Sequence, residues 1–185
     1  MVWNRTRGII REESGEWMDN TTISITVYGR PINDWQMWYQ DAKGLFSKLG
    51  YDYNYLGANI FADRKIKTVS RSEKKLLAVM GEESNLEAVS MFSLPRNFKS
   101  ASFSYDVMLV RNQKFITLSL NESDYDKLDE TEVVKLFSEY VENPRVEIYE
   151  LDRYEVPLLY AYKCNSTESF KTLKIRKTQF AEMDY

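Results

Sequence analysis

The chain has 185 residues, 28 acidic and 25 basic, a formal net charge of -3, and 43% hydrophobic residues. That length can bury a sizeable core, and plentiful large apolar residues at low net charge exclude a disordered chain. With no histidine and a single cysteine, Cys164, imidazole catalysis, an internal disulfide and a cysteine-held zinc site are excluded.

Residues 1–20 hold Arg5, Arg7, Arg11, Glu12, Glu13 and Glu16 without a sustained period. They read as a flexible or loosely docked arm, with Met18 as a candidate alternative start, ahead of a single domain over 21–185. The arm has no apolar stretch of the kind a secretory signal needs. No run in the chain approaches the ~20 apolar residues of a membrane helix. A lone thiol fits the cytoplasm.

Ile23, Ile25 and Val27 alternate with polar residues, which predicts a half-buried strand ended by Gly29-Arg30-Pro31. Trp35, Trp38, Tyr39, Ala42, Leu45, Phe46 and Leu49 fall on one helical face. Asn33 or Asp34 caps that helix and Gly50 ends it, while Gly44 inside it suggests close packing against the sheet. Alternating Tyr51, Tyr53 and Tyr55 predict a strand reaching about Phe61. A second helix follows over 71–80, with Ser70 and Glu73 at capping-box spacing and Gly81 at its end.

Strands are expected over 86–94, over about 102–109 with Phe103, Tyr105, Val107 and Leu109 on one face, and over 115–120. The last two form a hairpin about a turn at 111–114. A third helix is expected over 131–142, capped by Asp129 with Glu132 and closed by Asn143-Pro144. The tail adds strand-like pieces at 145–151, 158–163 and 171–176, with Pro157 marking an edge or a strand start. The sum is an α+β single domain: a largely antiparallel sheet with about three helices packed on one face. Strand–helix–strand over 22–61 partly echoes 115–151, so a duplicated unit is an option.

The seven glycines form no phosphate-cradling pattern. Ser72-Glu73-Lys74-Lys75 matches a Ser-x-x-Lys spacing, but it opens an ordinary amphipathic helix. The stretch Asp124, Tyr125, Asp126, Asp129, Glu130 and Glu132 is the densest acidic segment. It fails as a calcium loop, because Leu128 and Asp129 stand where a ligand and a glycine belong. It reads either as a solvated approach to a helix N-terminus or as a partner-binding surface, with Tyr125 as aromatic anchor. Residues 121–155 hold 12 acidic and 4 basic residues, whereas 64–75 and 163–177 are basic. These blocks either neutralise one another in the fold or leave one acidic face that attracts a basic partner. The overall acidity disfavours direct nucleic-acid binding.

The stretch Ile23–Arg30 followed by Asp34–Tyr39, the one-domain α+β plan and the acidic, tyrosine-rich character resemble the immunity proteins of bacterial polymorphic toxin systems. The resemblance implies a cytoplasmic inhibitor that occludes the active site of a cognate toxin, needs no cofactor or metal, and is not an enzyme. The partner would be a toxin protein; no residue role follows from the resemblance, and the acidic segment's own chemistry makes Asp124, Tyr125, Asp126, Asp129, Glu130 and Glu132 the expected contacts with a basic cleft. The alternatives are a histidine-free enzyme or small-ligand binder, and a self-associating structural protein that forms a homo-oligomer.

Overall fold

A computed structural model describes residues 20–32, 34–62, 65–81 and 85–180. Apart from Asn20, the arm expected over 1–20 lies outside the described residues.

Strand β1 (Thr21–Pro31) organises the rest. Its two edges pair antiparallel with β6 (Phe115–Asn121) and β7 (Val141–Asp152), so the first strand among the described residues is an inner one. With β2 (Tyr55–Ala58), β3 (Lys67–Thr68), β4 (Ala88–Ser93), β5 (Val107–Asn112) and β8 (Lys174–Phe180), they form one eight-stranded antiparallel sheet. Its order is β3-β2-β4-β5-β6-β1-β7-β8. The fold is α+β and a single domain, as its sequence pattern predicts.

Side chains alternate across this sheet, so each strand serves two faces. Ile23, Ile25 and Val27 join Leu109, Leu118 and Ile148 on one face, in the main core. Helices α1 (Trp35–Lys48), α2 (Val69–Met80) and α4 (Glu130–Ser138) cover it. The stripe of α1 does what its spacing predicts: Trp35, Trp38, Tyr39, Ala42, Leu45 and Phe46 are buried. Each large side chain among them contributes ~1.5–3 kcal/mol of gross burial energy. Asp34 caps the helix by accepting the Met37 N–H at 3.0 Å, and Gly50 takes the left-handed φ of 76° beyond its end.

The opposite face is buried as well, under segments 94–105 and 153–170. It is polar at its centre: Ser24 bonds Ser119 at 2.7 Å and Thr26 bonds Thr117 at 2.6 Å across the β1–β6 pair. Two short helices complete the count among the described residues, α3 (Glu122–Tyr125) and α5 (Pro157–Ala161). No helix among the described residues is long and apolar enough to cross a membrane.

Several expectations are corrected. Gly29 does not end β1; it sits at a register shift against β7, where an added Cβ would lie 2.6 Å from the Glu142 carbonyl oxygen. Tyr51 and Tyr53 precede β2 rather than lie in it: the Tyr51 N–H closes the preceding helix on the Phe46 carbonyl at 3.0 Å, and both hydroxyls donate to carboxylates. The capping box at Ser70 and Glu73 does not form: Thr68 is the cap, without a side-chain bond, and Glu73 points to two tyrosines. Phe103 lies in a turn ahead of β5, and Arg111 belongs to β5 rather than to the hairpin turn. Helix α4 stops at Ser138, since Val141 pairs with Pro31 at the start of β7, and Asn143-Pro144 lies within that strand. Residues 158–163 are no strand: Pro157 starts α5, the first-turn position where a missing N–H costs nothing. The duplicated unit is absent, since β6 and β7 flank β1 directly, with one strand between them, whereas three strands lie between β1 and β2.

Candidate protein-binding groove

The acidic segment follows β6 directly, so the sheet fixes where it starts. Asn121 caps α3 by accepting the Asp124 N–H at 2.8 Å. This turns the Asp124 side chain inward, where it is 5% exposed. There it accepts from Tyr51 Oη at 2.7 Å, Asn121 Nδ2 at 2.8 Å and Lys127 Nζ at 2.8 Å. Burial pushes this carboxyl up, but the three donors outweigh burial and hold it below the usual aspartate range. Asp124 is therefore a structural anchor, and its lone pairs face the protein's own donors.

Tyr125 is half-buried. Its hydroxyl donates to Glu130 at 2.5 Å, and its ring lies under the Arg176 guanidinium at 5.4 Å. Burial, then the Glu130 carboxylate, pushes this phenol up to about 12. Asp129 caps α4 by accepting the Glu132 N–H at 3.1 Å. Glu130 pairs with Lys177 at 2.7 Å, and Glu132 pairs with Lys48. Asp126 is exposed, and among the described residues no ion pair engages it. Of the six candidate residues, Asp126, Asp129 and Glu132 present themselves to solvent, whereas Asp124, Tyr125 and Glu130 are turned into the protein's own network.

The basic tail supplies part of the neutralising charge: it pairs with Glu122, Glu130 and Glu150, while Lys127 meets Asp124 and Lys48 meets Glu132. Strand β8 carries a bulge: pairing passes from Ile148–Lys177 to Tyr149–Ile175, leaving Arg176 unmatched. The extra residue lets Arg176 and Lys177 both reach the α3–α4 segment. Arg176 spans Glu150 at 2.5 Å and Glu122 at 2.7 Å, while Lys177 takes Glu130.

What the segment leaves open is a groove of about 560 Å³ between α1 and the α3–α4 region. Leu45, Leu49, Leu128, Val133 and Leu136 line it with apolar surface. Gly44 lies in its α1 wall, and a Cβ built there meets nothing within 4 Å. This corrects the expectation that Gly44 packs against the sheet. The rim is charged. Lys48 and Glu132 satisfy each other, as do Lys127 and Asp124, which leaves Asp41, Asp129 and Glu139 against Lys135, three carboxylates to one ammonium. Asp41 accepts the Tyr140 hydroxyl.

Elsewhere, the Glu73 and Glu147 carboxylates are met by the protein's own donors, whereas buried Arg111 Nε and Trp38 Nε1 make no hydrogen bond among the described residues. Glu73 gathers Tyr39 at 3.1 Å, Tyr53 at 2.9 Å and Lys43 at 3.5 Å on one oxygen. Glu147 takes Arg145 at 2.7 Å and Lys163 at 2.6 Å. In both glutamates burial raises the acid and the donors overcome it, holding it below the usual range. Arg111, wholly buried, stacks on Trp35 at 4.3 Å and on Trp38 and Tyr140 at 5.5 and 5.4 Å. It donates to the carbonyls of Ile32 and Asp34, pinning the entry to α1. Burial lowers its pKa to about 10. Ser72 of the Ser-x-x-Lys spacing is buried and donates to the Thr68 carbonyl at 2.8 Å, the ordinary back-bond of a helical serine. Among the described residues no group of acidic and cysteine side chains is arranged to hold a metal.

Sequence reasoning missed the groove, its leucines and the partnership of Arg176 with the acidic segment. The one available signal was Gly44, a glycine in a strongly periodic helix. No family model, no curated protein and no solved structure matches this chain.

Proposed function

We propose that this chain is a protein-binding inhibitor that neutralises a cognate bacterial toxin by covering its active site, and that the α1–α4 groove with its acidic rim is the contact surface. The observation that carries the reading is Gly44. A glycine in a helix interior costs ~1 kcal/mol relative to alanine. Here neither the backbone nor a neighbour asks for it, and the space it leaves opens the apolar groove. Asp129 and Glu132, two of the candidate contact residues, stand on that rim. An apolar centre inside a charged border is the anatomy of a protein interface.

The clustered carboxylates support this over catalysis: Glu73, Asp124 and Glu147 are held ionised by their donors, the reverse of what a general acid needs. The edge strand β8 is bulged and carries Lys174, Arg176 and Lys177, devices that discourage edge-to-edge pairing with a second copy. The test is co-expression with toxic domains encoded in adjoining reading frames. Restored growth with a stoichiometric complex by light scattering is the expected result. Persistent toxicity alongside folded, monomeric protein refutes the reading.

A further inference from the structure

The groove's walls and charges also identify the kind of segment that fills it. Resting on the protein-binding reading, we propose that its occupant is a basic amphipathic helix of the partner, two to three turns long.

Both walls are helical. Along α1 the groove is lined by Asp41, then Gly44 and Leu45, then Lys48 and Leu49, a ridge repeating every helical turn. The facing wall is lined by Asp129, Val133, Leu136 and Glu139, again at one-turn intervals. A trough between two helical ridges is the complement of a third helix, whose side chains at i, i+3 or i+4, and i+7 drop between them. The span from Asp41 to Lys48 is about 10 Å at 1.5 Å per residue, two turns of an occupant. Gly44 lies midway, where a missing side chain lets a second backbone approach most closely.

Charge sets the sign of the flanks. The lining carries Asp41, Asp129, Glu132 and Glu139 against Lys48, Lys127 and Lys135, a net of -1, and buried Asp124 beneath Lys127 brings the local sum to -2. Lysine or arginine beside the apolar stripe complements that field, and acidic flanks are repelled by it. The same sign disfavours a nucleic acid, whose phosphates need a net basic face.

The experiment is selection from a displayed library of helix-biased peptides of about 15 residues. The full chain is the target and its Gly44→Leu variant the counter-target. The expected winners carry Leu, Ile or Phe at i, i+3 or i+4, and i+7, flanked by Lys or Arg. The leading peptide, synthesised, binds the wild type roughly ten-fold or more tighter than Gly44→Leu. Its affinity falls from low to moderate salt and falls again in Glu139→Lys, an exposed position that reverses one rim charge without touching the core. Failure to enrich, winners that are acidic or lack the apolar period, or equal binding to Gly44→Leu each overturn the proposal. Protection from a toxin that survives Gly44→Leu, with no helix selected, sinks this inference alone. Selected basic helices from a chain that protects against no toxin sink the toxin reading alone.

Discussion

Replacing Gly44 by alanine should make this protein more stable, and the size of the gain follows from the structure. Gly44 has ordinary helical backbone geometry within α1, and the new methyl group meets no atom within 4 Å. No clash, strain or lost hydrogen bond opposes the substitution. What remains is the unfolded chain's loss of freedom and the better helix propensity of alanine, about 0.5–1 kcal/mol together. For a domain of this size, that raises the melting temperature by roughly 1–4 °C. Urea titration should show a higher midpoint with an unchanged slope. A destabilised Gly44→Ala would mean that the α1 wall is closed at that point, and the groove argument would fail with it. An unchanged melting temperature would also count against it, because the propensity gain would then be offset by a contact that the structure lacks.

Gly29 should respond in the opposite direction: Gly29→Ala drives a Cβ to within 2.6 Å of the Glu142 carbonyl oxygen and 2.9 Å of the Val141 Cβ, costing ~1–3 kcal/mol in chemical unfolding. Asp124→Ala strands the donors of Tyr51 and Asn121 and should cost ~1–3 kcal/mol at neutral pH. Because this carboxyl is lowered in the fold, its contribution is complete above the unfolded aspartate value of about 4 and disappears as pH falls through the folded value. The gap between wild type and variant should therefore close in acid, and a gap that widens below pH ~4 contradicts the assignment. Arg176→Ala removes the bridge from β8 to Glu150 and Glu122; being partly exposed, it should cost only about 1 kcal/mol. Amide exchange should quicken in β8 and α3 before the central strands, and added salt should shrink the difference.

The elements that could be read from sequence are those whose pattern and environment agree. Helix α1 has seven apolar positions on one face, a capping aspartate and a terminal glycine, and it appears almost to the residue. The hairpin of β5 and β6 was legible for the same reason, since it is local and its alternation is strong. The pattern carries helix α4 four residues past its end, because the helical period does continue through Tyr140 and Val141; only the distant Pro31 reveals that Val141 belongs to a strand. Segment 158–163 is too short for periodicity to separate a strand from a helical turn, and it rests on aromatic neighbours far along the chain. The acidic segment was visible as composition. That Asp124 faces inward, or that a bulge sends Arg176 and Lys177 to Glu122 and Glu130, depends on which strand lies beside β7. The groove was foreshadowed only by Gly44, whose isolation in α1 was noticed and ascribed to the wrong cause.

The placement of β1 between β6 and β7 also has a cost in time. Ile23 pairs with Leu120 on one side and with Glu150 on the other. This strand, the first among the described residues, thus waits for roughly a hundred residues before either neighbour exists, about 5–20 s at typical synthesis rates. During that interval Ile23, Ile25 and Val27 have no sheet to cover them. A chain so wired has long sequence separations between its central contacts and should fold slowly. Its yield in a cell should depend on whatever shields that nascent strand until β7 arrives, and a chain truncated before Val141 should aggregate rather than populate a smaller sheet.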